Sequence, residues 1–236
     1  IYFGLNAQWF YQEQDIIEKP AAGIVPGVTG LQIGVVIKIE GDPDKEDRVK
    51  VRIPAIDQNE GIWSRMASPD AGKERGAFFR PEIHDEVVVG FLNGDPRHAI
   101  ILGMLNSSAH PAPLPSKDDN HQKGFITRSK IKFVFDDDKK SLRMETPNGK
   151  VIEINDDKNE ITLSDKNNNK IRLGSDGISI ESAKDISFKT SAGNVKIEGK
   201  SVEVKAATKS SISGTASAEL VSTGQTKIQG GIVNIN

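Results

Sequence analysis

Cysteine is absent from this 236-residue chain, which removes disulfides, thiolate metal sites and cysteine nucleophiles together. Aromatic residues are scarce at 6%, with two Trp and two Tyr, so no large aromatic-filled core is expected. Hydrophobic content is 36%, low for a globular chain. No run approaches the ~18 apolar residues of a membrane span, and no signal peptide is visible. Charge of one sign is lacking too: 31 basic residues against 33 acidic ones leave a net of −2, mixed along the chain. A nucleic-acid binder usually shows a basic face, and this balance weighs against one. The chain begins at Ile1 rather than Met, so a fragment is expected.

What is present changes character along the chain. Residues 1–27 carry Tyr2, Phe3, Trp9, Phe10 and Tyr11, then a polar stretch leading into a Pro/Gly-rich run. They read either as a terminal arm or as the remnant of a preceding hub domain. Residues 28–105 alternate with period two. Strands are expected at 31–39, 48–53, 62–66, 86–91 and 98–102, with turns at Asp42-Pro43-Asp44 and Asn93-Gly94-Asp95-Pro96. In the second strand Val49, Val51 and Ile53 should face the core, and Arg48, Lys50 and Arg52 should face water. Five short antiparallel strands suit a small closed barrel such as an OB-fold, and periodicity alone leaves an SH3-like barrel open. Residues 106–124 form a Pro-rich extended linker with no room for an inserted domain.

Residues 125–236 repeat. Apolar couplets around one polar residue recur at Leu142/Met144, Ile152/Ile154, Ile161/Leu163, Ile171/Leu173, Ile178/Ile180, Ile186/Phe188, Val195/Ile197 and Val202/Val204. Steps run from seven to ten residues, separated by turn formers such as Pro147-Asn148-Gly149 and Asn167-Asn168-Asn169. Ordering each residue costs about 1–2 kcal/mol, whereas one buried apolar side chain returns about 1.5–3 kcal/mol. Two such side chains per eight or nine residues are too few for one chain alone. Identical chains around an axis solve this, because each couplet meets its symmetry mates and no free edge remains. The expected fold is therefore all-β: a barrel, then an intertwined triple-stranded β-helix, with residues 125–236 as a homotrimeric needle. A single-chain solenoid normally needs turns of about 20 residues or more. The expected trimer core is Ile152, Ile154, Ile161, Leu163, Ile171, Leu173, Ile178, Ile180, Ile186, Phe188, Val195, Ile197, Val202 and Val204.

Two segments are closely similar to a known family. They are SPDAGKERGAFFRP at 68–81, and DEVVVGFLNGDP at 85–96 followed by ILG at 101–103. They resemble the VgrG spikes of type VI secretion systems and related phage-tail and extracellular injection spikes. Members read much like AGKxxGxxFxPxxGDEVxVxFxxGDPxxPxxxG; here His84 stands for the usual Gly and Ala99 for the usual Pro. The resemblance covers residues 28–236. It implies an OB-fold collar on a trimeric needle that punctures membranes and delivers effectors. It also implies a PAAR-class tip protein at the far end and a tail tube reached through an N-terminal hub. Assembly in the cytoplasm before expulsion to the exterior or into a target cell follows from the same resemblance. The terminal GGIVNIN fits such an end, with Ile232, Val233 and Ile235 as expected tip-docking residues.

Chemistry is hard to find. The four histidines, His84, His98, His110 and His121, fall in no zinc spacing. Asp42-Pro43-Asp44-Lys45-Glu46-Asp47 and the stretch from Asp165 to Lys170 imitate calcium loops but lack the required Gly, so both read as turns. Asp136-Asp137-Asp138-Lys139-Lys140 reads as a solvated turn. No nucleophile motif or phosphate loop is present, and a non-enzymatic protein with no cofactor is expected. Two rivals remain. One is a nucleic-acid- or glycan-binding OB module using Arg48, Lys50, Arg52, Arg65, Trp63 and Phe79. The other is a trimeric tailspike depolymerase, which needs sugar platforms; the needle has no Trp or Tyr.

Overall fold

The computed structural model describes residues 27–234. The aromatic cluster at 2–11 and the docking residue Ile235 lie outside the described residues.

The first half closes into a barrel of five strands: β1 (Gln32–Lys38), β2 (Val49–Ile53), β3 (Asp57–Met66), β6 (Glu86–Phe91) and β7 (Ala99–Leu105). The two-residue strands β4 (Ala71–Gly72) and β5 (Arg75–Gly76) form a separate small hairpin. Alternation drives the barrel, because every second side chain points inward. Val36, Val49, Val51, Ile53, Val87, Val89, Ala99 and Ile101 are all buried and form its core. Val49, Val51 and Ile53 are thus inside, as the alternation of β2 requires.

Around the barrel the order is β1-β2-β3-β7-β6. Four of the five pairings are antiparallel, and the closing one, β3 with β7, is parallel. This corrects the expectation of five antiparallel strands. A ring with an odd number of strands cannot alternate direction all the way round, so one parallel seam is unavoidable. The seam is short, with Arg65 opposite Ile100 and Met66 opposite Ile101.

A second correction concerns β2's basic side. Arg52 is exposed and Lys50 half-buried, but Arg48 is drawn onto Asp42 and Asp44 instead of standing in water.

Beyond the linker, seven strands form one antiparallel sheet in sequence order. They are β8 (Gln122–Ile126), β9 (Lys132–Asp136), β10 (Ser141–Glu145), β11 (Val151–Asn155), β12 (Glu160–Ser164), β13 (Lys170–Gly174) and β14 (Gly177–Glu181). Short polar turns join them, and Lys140, Gly149, Asn159, Asn168 and Gly177 take the positive φ that tight reversals demand. The couplets from Leu142/Met144 to Ile178/Ile180 each occupy a strand. Those at Ile186/Phe188, Val195/Ile197 and Val202/Val204 lie in no strand and are exposed. Within one chain the repeat is thus an antiparallel meander as far as β14.

Candidate assembly interface

Side chains directly opposite across a sheet share a face, so the register aligns the couplets. One row runs Phe135, Leu142, Ile154, Ile161, Leu173, Ile178. The other runs Phe125, Phe133, Met144, Ile152, Leu163, Ile171, Ile180. Together they make one continuous apolar face over seven strands. Among the described residues it is left largely open: most of these side chains are exposed, and Ile178 reaches 70%. An exposed apolar patch of this extent marks an interaction surface.

The opposite face is polar and better enclosed. Arg143 bonds Glu153 at 2.6 Å across the β10–β11 pair, and Glu153 also accepts from Asn155 at 3.1 Å and Lys158 at 3.4 Å. Burial works against ionisation of Glu153, but those three donors outweigh it and leave its pKa lowered. Asn155 is only 3% exposed and Thr162 is buried as well. A sheet whose polar side is the more enclosed and whose apolar side is the more open cannot be the finished burial arrangement of its hydrophobic residues.

The two acidic turns behave as local scaffolds. The Asp42 carboxylate accepts backbone N–H bonds from Asp44, Glu46 and Arg48, and its Oδ1 takes the Arg48 guanidinium at 2.6 and 3.0 Å. The Arg48 guanidinium holds Asp42 well below the usual carboxylate range. Asp165 accepts backbone N–H bonds from Asn167 and Asn169 and side-chain amide bonds from the same two residues. Asp95, enclosed in the β6–β7 connection, bonds Arg97 bidentately, and chiefly that pairing brings its pKa down to about 2. No group of three or more metal-ligating side chains occurs among the described residues.

Of the six residues named for a strand-binding barrel, two are committed elsewhere: Arg48 to Asp42, and Phe79 to Phe125. The Phe79 and Phe125 rings stack with centroids 5.1 Å apart and 13° between planes. The aromatic contacts continue from Phe125 to Phe133, tilted at 6.5 Å, and from Phe133 edge-on to Phe135 at 5.1 Å. Arg128 in the β8–β9 turn bonds Glu82 of the barrel loop at 2.9 Å. This joint was missed from sequence, although Phe133/Phe135 has the couplet spacing and signalled one more strand. At the far end Ile232 and Val233 are exposed, separate from the sheet.

Comparison with known proteins follows the same division. Residues 32–105 match the type VI secretion system/phage-baseplate injector OB domain, and residues 141–208 match the phage baseplate V C-terminal trimerisation domain. The chain is 34% identical over 113 residues to the type VI secretion system spike protein VgrG1a of Pseudomonas aeruginosa, covering 44% of this chain and 18% of that protein. It is 33% identical over 140 residues to VgrG1b of the same organism, covering 53% of this chain and 19% of the relative. Against VgrG3 of Vibrio cholerae it is 34% identical over 101 residues, covering 39% and 10%. The chain therefore spans less than a fifth of the length of these relatives. The trimerisation domain supports a homotrimer, and the barrel order with the injector match settles the barrel as an OB-fold. With an injector OB domain and a trimerisation domain in succession on one chain, both halves are similar to VgrG-like injection-system spikes.

Proposed function

We propose that this chain is the collar and needle of a membrane-puncturing spike at the tip of a contractile injection apparatus. The observation that carries the reading is the seven-strand apolar face left open in the single chain. Three copies turning their apolar faces inward would share one slim core, made of Ile152, Ile154, Ile161, Leu163, Ile171, Leu173, Ile178 and Ile180. Burying even roughly 1,000 Å² of apolar surface per copy contributes about 25 kcal/mol before association costs.

Cis pairing stops at β14. The later couplets Ile186, Phe188, Val195, Ile197, Val202 and Val204 would then pair between copies, winding into the triple-stranded β-helix. Such a closed ladder carries axial load without a free edge. Its role is mechanical and non-enzymatic. At its end Ile232, Val233 and Ile235 would seat a PAAR-class tip protein, with effectors carried behind the tip. Segments preceding the collar would mount it on the tail tube. Delivery follows assembly in the cytoplasm.

Light scattering coupled to size exclusion tests the reading. The expected result is an elongated particle of three times 25.6 kDa. A compact monomer would overturn the shared core, and would turn attention to salt-dependent single-strand binding by the barrel.

A further inference from the structure

We propose that the barrel loop at residues 77–83 closes the barrel end of the shared needle core, with Phe79 sealing its own sheet and Phe78 packing on a second copy of the chain. The proposal rests on the trimeric reading above. The sheet is laid down in sequence order, so β8 is its edge nearest the barrel and β14 its far edge. Phe125 is the last apolar side chain of its row at that near edge. Three sheets brought face to face would leave a ring of Phe125 side chains open to water there. Phe79 lies flat on Phe125 and lengthens the apolar row by one ring.

The loop is held firmly enough to serve as a stopper. Ser68 Oγ donates to the Ala77 carbonyl at 2.6 Å, on the N-terminal side of the two phenylalanines. On the C-terminal side Arg80 grips the Asp47 carboxylate at 2.7 and 2.8 Å, and Pro81 is fully buried. Glu82 is tied to Arg128. Between these anchors Phe78 stands 77% exposed. An anchored aromatic ring left in water beside an assembly face is a contact awaiting its partner. A second copy is the occupant because Phe79 makes this loop continuous with the face that the copies share.

The chain's lack of cysteine supplies the test. Phe78→Cys and, as an exposed barrel control, Glu46→Cys are labelled with a maleimide in the full chain, after oligomeric state is measured. In the trimer the Phe78→Cys thiol should label at least about tenfold more slowly than the Glu46→Cys thiol, the protection expected of a locally closed site. In the Ile178→Asp background, which should be monomeric, the two rates should converge. Equal rates in the trimer would overturn the stopper while leaving the needle intact. Slow labelling of the Phe78→Cys variant in the monomer would also overturn it, because the covering segment would then belong to the same chain. A wild-type chain that is itself monomeric would defeat the shared core and the stopper together.

Discussion

Two residues call for experiments of their own. His84 takes a φ of +77°, a left-handed conformation, where the family usually has Gly. Its backbone N–H still bonds Val36 O at 2.9 Å, so the turn is kept despite its side chain. We predict that His84→Gly raises barrel stability by about 0.5–1 kcal/mol, the relief of left-handed strain less the added chain entropy of glycine. Denaturant unfolding measures it, and a less stable variant would show that the imidazole contributes something else. Asp42 carries a second prediction. Its folded pKa is depressed, chiefly by the Arg48 guanidinium, so its stabilisation is complete above the ordinary carboxylate pKa of about 4. It is lost only as pH falls below that value toward the folded pKa. Asp42→Asn should therefore lower the melting temperature at pH 7, with the gap to wild type narrowing below about pH 4. A gap independent of pH would rule out the ion pair as its cause. Alternation in the sequence was enough to put Val49, Val51 and Ile53 inside. It set Arg48 in water and was wrong there, because periodicity assigns a face and cannot see a carboxylate folded back from six residues away.

At the scale of elements, the strand positions were readable because period-two alternation and Asn/Gly turns agree along both halves. The pairing was less so. Strict antiparallel closure of five strands is geometrically impossible, a constraint that only appears once the strands form a ring. In the needle the couplets mark strands reliably as far as β14, yet identical spacing beyond it yields no strand within one chain. Couplets record which side chains need burial, not which backbone supplies their partners. This division predicts a hydrogen-exchange pattern. In the trimer, amides throughout 122–181 and 184–234 should be protected. In a monomeric variant protection should survive, if at all, in the first segment only. Equal protection of both segments in the monomer would contradict inter-chain pairing of the distal needle.

For the whole molecule the decisive substitution is Ile178→Asp. Ile178 is among the most exposed residues of the apolar face in the single chain, so there the change should be harmless. In a trimer it buries three unpaired carboxylates, each costing several kcal/mol. Ser179→Asp, one position along β14 and opposite Arg172, points to the polar face and should leave the trimer whole. We expect light scattering to give monomer for the first variant and trimer for the second. Trimer from both would remove Ile178 from any shared core.

By itself the sequence determined that this chain is all-β, that a small barrel precedes a repeat, and that the repeat carries too few apolar residues to fold around itself. Those are matters of composition and period, both local quantities. Only the tertiary structure decided that the couplets align in two unbroken rows on one open face, and that the barrel closes through a parallel seam. It alone brought Phe79 onto Phe125, 46 positions apart in the chain. Register, ring closure and long-range stacking depend on how separate strands meet in space, and no period within one strand encodes that meeting.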